Sequence, residues 1–105
     1  MALKKGDTYN LPITLSISGS ILGIDGVDTV EFMFDTIRKV YSDTSEDGVT
    51  FDTDHFIVPL TQEETFSLQD KQARYQARVK FDTGEVKGSP IKKCNVYDSI
   101  SREVL

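Results

Sequence analysis

One stretch of the chain alternates so regularly that it restricts the whole fold. Between Lys71 and Asp82, small and apolar side chains alternate with polar ones. The apolar row is Ala73, Tyr75, Ala77, Val79 and Phe81. A period of two is typical of a strand with one buried face and one face in water. Such a strand needs a second layer over its apolar row, so the chain is expected to be built on a β-sheet.

Other segments repeat the strand pattern more briefly. Leu11 to Ile17 places an apolar residue at every second position, and Pro12 near its start predicts an edge strand. Phe56 to Leu60 alternates as well, and Pro59 predicts that this strand lies at an edge or ends there. After the predicted turn at 82–85, a returning strand is expected from Glu85 to about Lys93.

The segment 29–41 is compatible with two structures. As a helix, it would gather Val30, Met33 and Ile37 on one stripe. As a strand, Val30, Phe32 and Phe34 alternate, and β-branched and aromatic residues are frequent. The strand is the preferred interpretation because the helix leaves Phe32 on its polar side. A bend is expected near Asp35.

The predicted fold is mainly β, an antiparallel two-sheet sandwich that is loosely Ig-like. Thr61 followed by Glu64 matches a capping box and predicts one short helical turn near 61–66. Residues 1–105 are predicted to form a single β-sandwich domain. From about residue 95, the chain is expected to form either a last strand or an extended C-terminal arm.

The charge balance argues against a nucleic-acid partner. The chain has 17 acidic and 12 basic residues, whereas affinity for a phosphate backbone comes from Lys and Arg. Residues 1–54 hold ten acids and four bases, and residues 55–105 hold seven acids and eight bases. This asymmetry favours head-to-tail self-association. Arg74, Arg78 and Lys80 are typical of a solvated strand face, with a binding surface as the alternative.

Neither a membrane span nor a signal peptide is predicted. No apolar run approaches the roughly 18 residues of a span. Residues 1–7 carry two lysines without an apolar segment after them. The chain has one cysteine, which excludes an intrachain disulfide. We therefore expect it to be made, and to fold, in a reducing cytoplasm.

The acidic segment 42–54 contains the sharpest local motif. Asp43, Ser45 and Asp47, followed by a glycine, match the first half of a calcium-binding loop. Asp54 holds the twelfth position with a side chain shorter than the usual Glu, and Phe51 supplies no oxygen at the ninth. A solvated turn is the main interpretation, and Asp43, Asp47 and Asp54 remain weak candidates for a metal site.

No catalytic or cofactor-binding constellation is predicted. The chain has one histidine, His55, and one cysteine, Cys94, so zinc-ligand spacing is absent. Neither residue lies in a recognised nucleophile motif. The glycines at 19 and 23 lack the Lys and Ser or Thr of a phosphate-binding loop. The sequence therefore predicts a protein that is not an enzyme and needs no cofactor.

Several stretches, taken in order, resemble a known class of protein. Gly6-Asp7-Thr8 precedes an alternating strand, and further matching stretches lie at 30–34, 58–65, 75–81 and 84–89. This series resembles small β-sandwich structural proteins of the tail or baseplate type from phages and prophages of Gram-positive bacteria. The resemblance implies an Ig-like domain that assembles with other virion proteins and has no catalytic residues.

The first functional hypothesis is therefore a virion structural or assembly protein, made in the bacterial host cytoplasm and acting by protein–protein contact. Its expected partners are other virion proteins and further copies of itself, and neither nucleic acid nor a membrane. The predicted contact surfaces are open sheet edges, without named residues. The alternative is a carbohydrate- or host-surface-binding module, although four Tyr and no Trp make aromatic side chains scarce. A small enzyme is the least favoured hypothesis.

Overall fold

Backbone pairing in the structure is centred on the long alternating strand. The structure, a computed structural model, describes residues 2–17 and 19–105. In chain order the strands are β1 (Ala2–Lys4), β2 (Tyr9–Ile13), β3 (Ser16–Ile17), β4 (Ser20–Ile21), β5 (Val27–Phe34), β6 (Ile37–Tyr41), β7 (Thr50–Asp52), β8 (His55–Leu60), β9 (Lys71–Phe81), β10 (Val86–Gly88) and β11 (Lys92–Tyr97). Helix α1 (Gln62–Phe66) lies between β8 and β9. The prediction of a mainly β chain with one short helical turn is confirmed.

The largest sheet, sheet A, has the strand order β1-β11-β9-β5-β6. β5 runs antiparallel along one edge of β9, while β10 and β11 share its other edge. Between β10 and β11, Ser89 continues the pairing: its N–H donates to Ala77 O (2.8 Å), and its Oγ accepts from Ala77 N–H (3.0 Å). The returning strand predicted from Glu85 to Lys93 is interrupted over residues 89–91, where only Ser89 still bonds to β9.

The N-terminal strand changes the character of sheet A. β1 pairs with β11 in parallel, with Leu3 opposite Val96 and both side chains buried. The expectation of a wholly antiparallel fold is therefore wrong for this pair. A parallel neighbour needs a long connection, and here most of the chain lies between the two strands. Sheet A is mixed.

The segment 29–41 forms a β-hairpin, which confirms the strand interpretation. β5 and β6 are joined at Phe34 and Ile37 by a two-residue turn. In that turn Asp35 has a φ of 55°. Its carboxylate oxygens accept from the backbone N–H groups of Gln69 and Arg74, each at 2.9 Å. The bend expected near Asp35 is thus a complete reversal, held by the chain that leads into β9.

A second sheet covers the buried face of sheet A. Sheet B has the order β2-β8-β7. The ring of Phe56 on β8 lies 5.5 Å from that of Phe32 and 5.2 Å from that of Tyr41, centroid to centroid. Phe32 and Tyr41 belong to sheet A, so these contacts join the two sheets. Phe56, Val58 and Phe32 are at most 1% exposed, which places the core here.

Two strand predictions differ from the structure in an informative way. Pro59 does not mark an edge, since β8 lies between β2 and β7. β7 pairs only with residues 55–57, so Pro59 lies beyond its end and costs it no hydrogen bond. Pro12 does lie on an edge strand of sheet B. The predicted strand from Leu11 to Ile17 breaks after Ile13, and β3 pairs with β4 as a separate hairpin.

Helix α1 is fixed to sheet A by a buried lysine. The capping box is present, with Thr61 N–H donating to Glu64 Oε1 (2.9 Å) and Glu64 N–H donating to Thr61 Oγ1 (3.2 Å). Lys39, 9% exposed on β6, places its Nζ 2.9 Å from the same Glu64 oxygen. Among the described residues, no helix is long and apolar enough to cross a bilayer.

Burial raises the pKa of Glu64, but hydrogen bonds from Lys39 and from Thr61 N–H outweigh it, so this pKa lies below its ordinary value. A lowered folded-state pKa contributes stability above the unfolded value, and that stability is lost as the pH falls through the folded value. We expect Glu64→Gln, which keeps the cap but not the charge, to flatten the dependence of unfolding free energy on pH below about pH 5. Urea unfolding across this range tests it, with Glu63→Gln as the control. Equal slopes in the wild type and Glu64→Gln would contradict it.

The contacts between sheets A and B predict where truncation is most costly. Phe56→Ala should lower the free energy of unfolding by roughly 3–5 kcal/mol, because it leaves a cavity between the two sheets. Lys80→Ala, on the exposed face of β9, should cost less than about 0.5 kcal/mol. Chemical denaturation of both variants measures the difference. Similar losses at the two positions would show that the assigned faces are wrong.

Candidate interaction surface

Two of the three metal-site candidates in the acidic segment 42–54 use their carboxylates within the fold. Asp47 Oδ2 accepts from Val40 N–H (2.8 Å), and Asp54 Oδ1 lies 2.9 Å from His55 Nδ1. Asp43 is exposed. Within residues 2–17 and 19–105, no group of three or more His, Cys, Asp or Glu is placed to hold a metal ion. The structure therefore does not bring Asp43, Asp47 and Asp54 together as a ligand set.

The single histidine and the single cysteine lie in different sheets. Cys94 is 3% exposed on β11 of sheet A, and burial raises the pKa of its thiol. His55 begins β8 of sheet B and pairs with Asp54. A thiol with a raised pKa is a poor nucleophile because the thiolate is the reactive form. The arrangement offers no support for thiol chemistry.

Two concavities of the surface, of about 380 and 460 Å³, reach the volume of a ligand pocket but are open and lined mostly by polar and charged side chains. A groove of about 220 Å³ lies between the end of β2 and sheet A, lined by residues such as Ile13, Phe34 and Tyr75. This is below the roughly 300–1,000 Å³ of typical ligand pockets. Tyr97, 58% exposed, is the one aromatic residue among the exposed large hydrophobic residues of the described chain. A single tyrosine is a limited platform for a sugar, so broad surfaces are the better candidates.

Sheet A turns a basic face to solvent. The cross-strand register collects exposed Arg and Lys side chains on the side opposite the core. This basic face comprises Lys4, Arg38, Arg74, Arg78, Lys80 and Lys93. Glu31 lies among these cations, with Oε2 2.7 Å from Arg38 Nε and Oε1 3.9 Å from Arg78 Nη1. Cations therefore outnumber carboxylates on this face, although the chain as a whole is acidic.

The sequence alone predicts three of the six cations of the basic face. Arg74, Arg78 and Lys80 follow from the alternation within β9 alone. Lys93 joins them because it pairs with Arg74, and Arg38 joins them through β5. These neighbours depend on strand order and register, for which the sequence carries no direct signal.

Side chains partly close the two edges of sheet A. On β6, Val40 N–H donates to Asp47 Oδ2. On β1, which has three residues, Lys4 N–H donates to Tyr9 Oη at 2.8 Å. Short strands and satisfied donors make an edge a poor template for another chain. Edge pairing, the contact expected from the sequence, has less support at sheet A than contact through its face.

The C-terminal arm, residues 98–105, exposes aliphatic side chains. It begins after Tyr97 rather than near residue 95. Ile100 and Leu105 are fully exposed, at 106% and 101%, and Val104 is 51% exposed. Leu105 N–H donates to Gln62 Oε1 (2.7 Å), which holds the arm near α1. Clustered exposed apolar groups are typical of a surface that another protein covers.

An ion pair joins two residues within the arm. Arg102 contacts Asp98 through two nitrogens, with Nη1 2.7 Å and Nη2 3.1 Å from the carboxylate oxygens. The hydrogen bond from Arg102 holds the pKa of Asp98 below its usual value. Asp98 and Arg102 are thus paired with each other, and the aliphatic side chains of the arm are left to solvent.

Comparison with protein-family models, with curated proteins and with solved structures finds no match to this chain.

The acidic segment generates a prediction about calcium. Its carboxylates are dispersed, and Phe51 and Asp54 stand where a calcium loop needs oxygen and a long bidentate Glu. We expect affinity no better than about millimolar. Calorimetric titration of the full chain with calcium measures it, and Asp43→Asn serves as the matched control. Micromolar binding that Asp43→Asn abolishes would contradict this prediction.

Proposed function

We propose that this chain is a non-enzymatic structural protein of a phage or prophage virion, in the tail or baseplate region, which acts by protein–protein contact. The exposed aliphatic side chains of the C-terminal arm carry this proposal. Ile100 and Leu105 are fully exposed, so they bury no apolar surface in the isolated chain. Contact with a partner would remove this surface from water, which is favourable.

The fold proposed for this role is a loosely Ig-like sandwich of sheets A and B. The contacts of Phe56 with Phe32 and Tyr41 support it, since they join strands of the two sheets. The resemblance of the segments from Gly6 to Ser89 to small tail and baseplate proteins supports the same assignment. Assembly proteins of this kind work through their surfaces, and here the exposed features are a charged sheet face and an apolar arm.

The partners under this proposal are other virion proteins, which would take up the arm. Residues 98–105 contain no regular secondary structure and follow directly on β11. An irregular segment that exposes Ile100, Val104 and Leu105 suits a groove on a neighbouring protein, which would bury these side chains. The protein would be made in the host cytoplasm and function in the virion.

Co-purification tests the proposal. The full chain is co-expressed with the products of its neighbouring genes, beside an arm variant with Ile100→Ser, Val104→Ser and Leu105→Ser. We expect at least one neighbour to co-purify with the wild type and to be lost with the arm variant. A control with Ile21→Ser and Ile24→Ser, which are exposed elsewhere, should retain the partner.

A different outcome would favour the alternative function. If no neighbour co-purifies, and a panel of sugars raises the melting temperature by several degrees, the chain is a carbohydrate- or host-surface-binding module. The assembly proposal would then be wrong. Unchanged melting temperatures of the two serine variants would confirm that neither set of substitutions unfolds the domain.

A further inference from the structure

The basic face and the acidic segment are complementary in charge. The basic face presents six exposed cations around one carboxylate, Glu31. Residues 42–54 contain five acids and no base, namely Asp43, Glu46, Asp47, Asp52 and Asp54. Apart from Asp47, which is half-buried, these acids are exposed. One chain therefore carries both halves of an electrostatic contact.

Within one molecule the two surfaces do not pair: in the described part of the chain, no acid of the segment forms a salt bridge with a cation of the basic face. The acidic segment leads from β6 to β7, and β7 pairs with β8 in sheet B. Phe51 of β7 packs on Phe56 (4.9 Å between centroids), on the core side of sheet A. Asp47 is held at the edge of sheet A by Val40 N–H. The basic face looks away from this core, so β7, at the end of the segment, lies on the other side of sheet A.

Fold stability does not explain the charge of the basic face. Arg74 and Lys93 are directly opposite each other on β9 and β11, and like charges in such a position are destabilising. The carboxylate of Asp35 accepts the backbone N–H of Arg74 and places one negative charge beside this pair of cations, which leaves a net positive charge there. A face that collects cations at some cost is better explained by an anionic partner.

We propose that the basic face of one copy binds the acidic segment 42–54 of a second copy. This inference rests on the proposed assembly function and names one partner within it. The contact joins two different surfaces, so it is heterologous and leaves one basic face and one acidic segment free for further copies. Rings or open chains of subunits follow from repetition of the contact. Its strength should depend on salt, because the charges are exposed.

Charge reversal with mixing tests this contact. The face variant carries Arg74→Glu and Lys80→Glu, and the segment variant carries Asp43→Lys and Glu46→Lys. By sedimentation, the wild type should self-associate at low salt and lose at least about tenfold in affinity at about 300 mM salt. Each variant alone should be monomeric. Mixed together they should associate again, because the face variant keeps its acidic segment and the segment variant keeps its basic face.

A matched control separates the contact from net charge. Asp7→Lys with Asp25→Lys changes the net charge as the segment variant does, at exposed positions outside both surfaces and outside the arm, and should self-associate like the wild type. A wild type that stays monomeric at low salt, or a mixture that does not associate, would overturn the inference. Binding of a DNA duplex by the basic face without self-association would also overturn it. None of these results bears on the co-purification experiment, which depends on the arm, so the proposed function is tested separately.

Discussion

Pairing along both edges of β9 is the constraint on which the rest of the structure depends. This strand aligns β5 on one side and β10, Ser89 and β11 on the other. Its small residues Ala73 and Ala77 lie on the buried face, which leaves room for larger rings such as Phe32. Sheet B can then pack through Phe56. The same pairing determines which charged side chains share the opposite face.

Features that depend on neighbours in sequence could be predicted. They are the alternation in β9, the capping box at Thr61 and the core residues of β8. The decision between helix and strand at 29–41 required pairing with β9, although Phe32 gave the correct indication. Other features depend on distant partners. The sequence near β1 does not indicate that this strand pairs in parallel with β11. The sequence near Lys39 likewise does not indicate that its side chain is buried beside Glu64.

The acidic segment shows why a local motif can point to two structures. Asp43, Ser45 and Asp47 suit a calcium loop, and the same residues also bond backbone N–H groups in turns. In the structure the second use prevails: Asp47 N–H donates to Ser45 Oγ (3.2 Å), and Asp47 Oδ2 accepts from Val40. The spacing of these oxygen-bearing side chains therefore predicted a turn correctly. That Asp47 would bond to the edge of β6 could be seen only in the folded structure.

Buried Cys94 gives the domain a built-in reporter of local opening. It lies on β11, between β1 and β9, and is nearly inaccessible to solvent. A thiol-specific reagent can reach it only when the surrounding part of sheet A opens, so the labelling rate measures the free energy of that opening. With one cysteine in the chain, the signal is unambiguous. Binding of a partner protein near β1 would slow the labelling, and no engineered probe is needed.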